Sequence, residues 1–80
     1  MWYVYILKCS DQTFYTGITN NLVNRINDHN TSKKGAKYTK ARRPVELIFS
    51  REFPDRSTAT KEEIRIKKLT RDQKMRLINS

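Results

Sequence analysis

The chain opens on a run of apolar and aromatic side chains, Trp2-Tyr3-Val4-Tyr5-Ile6-Leu7. Residues of this kind favour strands, so residues 3–8 are predicted as a strand. Successive side chains of a strand point to opposite faces, which puts Tyr3, Tyr5 and Leu7 on one face and Val4 and Ile6 on the other. Ser10, Asp11 and Gln12 supply turn residues. Residues 13–18 (TFYTGI) then read as the return strand of a hairpin, with Tyr15 and Gly17 on one face. Tyr5 and Tyr15 share a face only if opposing residue numbers sum to an even number, as with Tyr5 opposite Gly17; an odd register would separate them.

From residue 20 the period lengthens. Asn20 is predicted to cap a helix over about 21–30, with Leu22, Val23 and Ile26 as its buried stripe. Residues 31–44 contain glycine and proline and no apolar periodicity, so they read as a loop. Residues 45–53 (VELIFSREF) resume alternation, with Val45, Leu47 and Phe49 on one face. Asp55 or Ser57 caps a second helix reaching about Leu69, whose stripe is Ala59, Ile66 and Leu69. Thr70 with Gln73 forms a capping box for a short third helix, in which Met75 and either Leu77 or Ile78 seek the core. The order β-β-α-β-α-α predicts an α+β fold, a three-stranded, mainly antiparallel sheet flanked by helices. Eighty residues are expected to make one domain spanning 1–80.

Charge changes the picture more than hydrophobicity does. Seventeen Lys and Arg face eight Asp and Glu, a net charge of +9. A field of that size attracts polyanions, which makes nucleic acid the first expected partner and an anionic membrane surface the second. The membrane reading is weakened because no basic amphipathic helix with Trp or Phe anchors is apparent. The apolar N-terminal run is too short to span a bilayer and lacks the basic leader of a signal peptide. A single cysteine, Cys9, excludes an internal disulfide and a Cys-rich zinc site. A cytoplasmic protein is expected.

Several residues could carry chemistry, and each has a plainer reading. Tyr3, Tyr5 and Tyr15 suit a strand whose hydroxyls sit at its rim. Gly17 is harder to dismiss, because glycine weakens a strand and commonly marks the close approach of another group. Arg25 and His29 are four apart and so neighbours on one helical face. They are either a boundary pair or a phosphate-neutralising cation beside the only histidine. Glu62 and Glu63 lie among cations, with Glu63–Lys67 an ordinary helix pair, and periodicity does not choose between the two acids. The stretch 33–43 (KKGAKYTKARR) carries Lys33, Lys34, Lys37, Lys40, Arg42 and Arg43 with one aromatic, Tyr38. That composition suits phosphate contacts with Tyr38 stacking on a base; a solvated basic loop is the alternative.

The order Tyr3-Val4-Tyr5, then Tyr15-Thr16-Gly17, then Arg25, His29 and a helical glutamate resembles the GIY-YIG nuclease superfamily, most closely its small single-domain bacterial branch. The stretches YVYILKC, FYTGITNNL..R...H, GAKYT, RPVEL and A...E..IKKL extend the resemblance over nearly the whole chain. It implies that Tyr5 ends the first motif, Tyr15 opens the second and Gly17 is the motif glycine. Arg25 matches the helical arginine, and His29 the place where members carry His or Tyr. Counting back from Ile66-Lys67-Lys68-Leu69 selects Glu63 as the metal-binding carboxylate.

The implied function is metal-dependent endonuclease, hydrolysing phosphodiester bonds with Mg²⁺ or Mn²⁺, possible roles being DNA repair or recombination. Tyr15 would act as base only where cations hold its phenolate, with a proton passed to His29. Arg25 would stabilise developing negative charge, and an ion on Glu63 would assist the leaving oxygen. DNA is expected over RNA as partner, with a repair protein as a further partner and a monomeric chain. There are departures: Tyr3 replaces the first motif's glycine, Thr16 its usual isoleucine, and Ile18 stands where several active members have lysine. A non-catalytic nucleic-acid-binding or repair-accessory module on the same scaffold is therefore the alternative.

Overall fold

In the computed structural model, which describes residues 1–31 and 36–79, the opening apolar run forms β1 (Trp2–Lys8) and the return segment forms β2 (Phe14–Thr19). Asp11 closes the turn between them, its carboxylate accepting from the Thr13 backbone N–H at 3.1 Å and the Thr13 hydroxyl at 2.6 Å. The strands are antiparallel with Tyr5 opposite Gly17, the even-sum register that the shared tyrosine face requires. β3 (Glu46–Phe53) pairs antiparallel with the other edge of β1, giving the sheet order β2-β1-β3.

β3 departs from simple alternation. Ile6 lies opposite Phe49 but Leu7 lies opposite Leu47, so Ile48 is an extra residue, a β-bulge. One extra residue inverts the inward–outward sequence of side chains. The expected Val45–Leu47–Phe49 face is thereby corrected. Val45 and Leu47 pack with Tyr5, Leu7 and Cys9, whereas Ile48, Phe49 and Phe53 pack with Val4 and Ile6.

Among the described residues four helices surround the sheet: α1 (Leu22–Thr31), α2 (Lys37–Lys40), α3 (Arg56–Lys67) and α4 (Arg71–Ile78). The cap of α1 is Asn21, not Asn20. The Thr19 hydroxyl accepts the Asn21 N–H at 3.0 Å, and the Asn21 amide oxygen accepts the Asn24 N–H at 3.1 Å. Leu22 and Ile26 pack inward, but Val23 is 78% exposed, because one residue turns a side chain by about 100° around the helix. Asp55 caps α3, accepting from the Thr58 N–H at 2.8 Å, and the Thr70–Gln73 capping box starts α4 as expected. Leu77 and Ile78 reach the core while Met75 stays 40% exposed. α2 adds a short helix inside the stretch read as loop; four residues are too few to display a helical period.

The two sheet faces carry separate clusters. Val4, Ile6, Ala59 and Ile66 are fully buried on one, covered by α3 and α4. Tyr5, Leu7, Cys9 and Val45 are buried on the other, against Leu22 and Ile26 of α1. Burial also pushes the Cys9 thiol pKa up, which keeps that cysteine an unreactive packing residue. No helix among the described residues is long and apolar enough to cross a membrane.

Candidate active site

The site grows from the middle of β1. Tyr5 is 1% exposed, on the central strand, facing α1. Gly17 stands opposite it on β2, and a Cβ at Gly17 would lie 2.6 Å from Tyr5 Cζ and closer still to the hydroxyl. No side chain fits there. The φ of Gly17 lies outside the left-handed region, so this glycine is required for its volume rather than its torsional freedom.

The cleared space lets the Tyr5 hydroxyl reach His29 Nε2 at 2.8 Å. His29 comes from the last turn of α1 and is fully buried. Its Nδ1 lies 2.8 Å from the Thr39 hydroxyl and 3.3 Å from the Ala36 N–H. Burial first, then the Arg25 charge, pull its pKa from 6.5 to about 4; Arg43 acts in the same sense and Asp28 against. The imidazole is therefore neutral at physiological pH. Tyr5 is pushed up to about 12 by burial and then by Tyr15, with the Arg25 hydrogen bond and charge opposing and Glu63 adding to the rise. Tyr5 keeps its proton at neutral pH.

The structure brings Tyr5, Tyr15, Arg25 and His29 together. The Tyr15 ring centroid is 6.4 Å from that of Tyr5 and 5.1 Å from that of His29. Arg25 acts on the Tyr5 hydroxyl, opposing the rise of its pKa, and lies 4.0 Å from Asp28. Glu63, on α3, reaches the group through its charge on Tyr5. The hydrogen bond of His29 Nε2 is to Tyr5, not to Tyr15, so a proton route to the histidine runs through the first tyrosine.

The two helical glutamates are told apart by their partners. Glu62 accepts from Arg51 at 3.2 Å and from Arg65 through both Nε and Nη2, which occupies its oxygens and lowers its pKa. Among the described residues, Glu63 is held by the looser Lys67 ammonium at 3.5 Å. The Glu63–Lys67 helix pair is present, and it leaves Glu63 the more available carboxylate. Ile18 packs against the Val4–Ile6 cluster, with the β2 side chains that alternate with Tyr15 and Gly17.

The basic stretch divides. Lys33 and Lys34 lie outside the described residues. Lys37 and Lys40 are exposed on α2. Tyr38 stacks on Tyr15 at a centroid distance of 6.0 Å, and the Arg42 guanidinium covers its ring at 3.9 Å. A base stacking on that face of Tyr38 would have to displace Arg42. Arg42 also donates to Asp11 and to the Tyr38 carbonyl, each at 2.9 Å. Arg43 donates to the backbone carbonyls of Asp28 and His29, a cation at the helix C-terminus where the dipole favours one. Both arginines thus hold the site together, which charge counting did not reveal.

Thr39 and Asn30 carry no signal of a site role in the sequence, and Asp11 reads there only as a turn residue. Asn30 exchanges hydrogen bonds with the backbone N–H and C=O of Val45, securing the start of β3. An open cleft lined by Phe14, Ile48, Met75 and Ile78 with Lys8, Gln12 and Arg71 lies on the α4 side and contains none of the site residues.

Comparison with known proteins bears on what this cluster is. The profile of the GIY-YIG catalytic domain matches residues 1–76. A UPF0213 protein of Clostridium perfringens is 54% identical over 80 residues, covering 100% of this chain and 85% of that protein. A UPF0213 protein of Desulfotalea psychrophila is 49% identical over 79 residues, covering 99% of this chain and 72% of its own length. The solution NMR structure of a UPF0213 protein from Bacillus halodurans superposes with a TM-score of 0.63 at 42% identity, over 99% of this chain and 84% of that one.

Proposed function

Because the chain belongs to the GIY-YIG catalytic-domain family, we propose that it is a metal-dependent endonuclease hydrolysing nucleic-acid phosphodiester bonds, DNA in preference to RNA, in repair or recombination. Residues 1–80 would act as one monomeric catalytic unit in the cytoplasm, with a repair protein as a further partner. The observation that carries this reading is the buried Tyr5–His29 hydrogen bond beside Arg25.

The chemistry follows from the protonation states. Tyr5 holds its proton and His29 is neutral, so Tyr5 acts as a relay and not as a standing phenolate. As its oxygen takes a proton from the attacking water, its own proton moves to His29 Nε2. A bound phosphate adds negative charge beside Arg25 and His29, which raises the histidine's readiness to accept. Arg25 stabilises the phosphoryl oxygens as charge develops. Tyr15, packed against His29, bounds the space where the water and phosphate meet.

The donor set suits Mg²⁺ or Mn²⁺. Among the described residues no group of three or more His, Cys, Asp or Glu converges, which fits an ion that keeps several waters and takes one carboxylate. Glu63 is the residue that would hold it, since the Glu62 oxygens are engaged by Arg51 and Arg65. Bound there, the ion would supply charge relief at the leaving oxygen.

The test is cleavage of labelled single-strand, duplex, flap and RNA substrates, with and without Mg²⁺ or Mn²⁺. Glu63→Gln should lower the metal-dependent rate by about 10²–10³ while binding persists, and Glu62→Gln should do far less. Equal cleavage by wild type and both variants would expose a contaminating nuclease. Tight binding without cleavage under any metal would make the chain a binding module instead.

A further inference from the structure

The site contains one buried polar side chain that the reaction above does not use. Thr39 is fully buried on α2, and its hydroxyl has a single proton to give. The Ala36 carbonyl, 2.9 Å away, can only accept and already takes the Thr39 and Lys40 backbone N–H groups, so the contact there is a hydrogen bond only with the hydroxyl proton directed at it. The 2.8 Å contact between Thr39 Oγ1 and His29 Nδ1 is then a hydrogen bond only if Nδ1 carries a proton and the threonine oxygen accepts it. A neutral imidazole protonated at Nδ1 has its lone pair at Nε2, so the 2.8 Å bond at the other end runs from the Tyr5 hydroxyl to the histidine.

A competing arrangement is present in the same cluster. The Ala36 N–H lies 3.3 Å from Nδ1. Left alone with that nitrogen, it would favour the opposite tautomer, in which Nε2–H donates to Tyr5 and cannot take its proton. The other groups facing His29 do not decide the matter at Nδ1. Tyr5 from β1 bonds Nε2, Tyr15 from β2 meets the ring, and Arg25, Asp28 and Arg43 act through charge.

We propose that Thr39 is a positioning residue that holds His29 in its Nδ1-protonated tautomer, keeping Nε2 open to the Tyr5 proton and tying α2 to the reacting groups. The tautomer stands on geometry alone; its catalytic meaning rests on the endonuclease reading. Since α2 also carries Lys37, Tyr38 and Lys40, a displacement of this helix by a bound polyanion would be felt directly at the imidazole.

The experiment is a long-range ¹⁵N–¹H correlation spectrum of the imidazole, simple to assign because the chain has one histidine. Wild type and Thr39→Ser should show a protonated Nδ1 and a lone-pair Nε2, and Thr39→Val should invert that pattern. In parallel, Thr39→Val should cut metal-dependent cleavage by about ten- to a hundredfold with nucleic-acid affinity unchanged, and Thr39→Ser should restore the rate. A wild-type spectrum with the proton on Nε2 overturns the proposal even if Thr39→Val does not fold. So does a folded Thr39→Val with the wild-type pattern. Absence of cleavage by the wild type would remove the endonuclease reading while the spectra still decide the tautomer.

Discussion

The two faces of the sheet solve the problem of burial in opposite ways. Against α3 and α4 the buried set is almost all hydrocarbon, Val4, Ile6, Ala59 and Ile66, with Thr16 opposite Ile6 as its polar member. Against α1 and α2 the sheet buries a polar chain, Tyr5 to His29 to Thr39 to the Ala36 carbonyl, with every link at 2.8 or 2.9 Å. Apolar burial is non-directional and roughly proportional to area, so the first face is sensitive to volume. Buried hydrogen bonds are costly when a partner is lost, so the second is sensitive to geometry and to protons. One strand, β1, serves both, and its alternation puts the hydrocarbon set and the Tyr5 chain on opposite faces.

The comparison can be broken most strongly on the apolar side. Ile66→Ala should cost about 2–5 kcal/mol of unfolding free energy, read as a lower urea midpoint, while the His29 imidazole resonances of the folded protein stay in place. A shift of those resonances as large as that of any α1 variant would mean the faces are not independent.

Between pH 7 and pH 5 acid should act chiefly on the polar face. The folded pKa of His29 is depressed, about 4 against 6.5, so its contribution is present above pH 6.5 and is lost as the pH falls toward 4. Between pH 7 and pH 5 that loss amounts to about 2 kcal/mol. An NMR titration of His29 should give a midpoint near 4, and a midpoint near 6.5 would contradict a buried neutral imidazole.

The sharpest local effect is expected from a single methyl group. Gly17→Ala forces a methyl onto the Tyr5 ring and should cost about 1–3 kcal/mol while breaking the Tyr5–His29 bond. The checks are the urea midpoint together with the His29 nitrogen shifts. A variant with wild-type shifts would show that the ring has room to move.

Much of this was legible in the sequence because β1 is written in period two. Tyr3-Val4-Tyr5-Ile6-Leu7 assigns its own faces, and the parity of the hairpin follows from wanting both tyrosines together. Caps were legible where one candidate has the reach, as at Thr70. Between Asn20 and Asn21 the choice fell to the Thr19 hydroxyl, a contact that composition does not encode. Val23 was misassigned because it adjoins Leu22 in sequence but not around the helix. Of the candidate site, the residues gathered on Tyr5 could be named, since family spacing selects them. Thr39 could not, although it sits inside the GAKYT stretch, because its importance comes from contact with a buried ring ten positions earlier. Arg42 and Arg43 read as spare cations because a net charge does not reveal which members already hold a carboxylate or a carbonyl.

The bulge at Ile48 has a bearing on how this sequence can drift. Most length changes in a chain are absorbed at turns, where one residue more or less alters little. Within β3 the residue count is fixed by arithmetic. Val45 and Leu47 belong to the tyrosine side, Phe49 and Phe53 to the hydrocarbon side, and only the extra position between them lets both be true. A single deletion at that point would leave the composition of the strand nearly unchanged, yet it would require one of its halves to exchange cores. Gaps inside this strand should therefore occur only where both flanking pairs have been rewritten together.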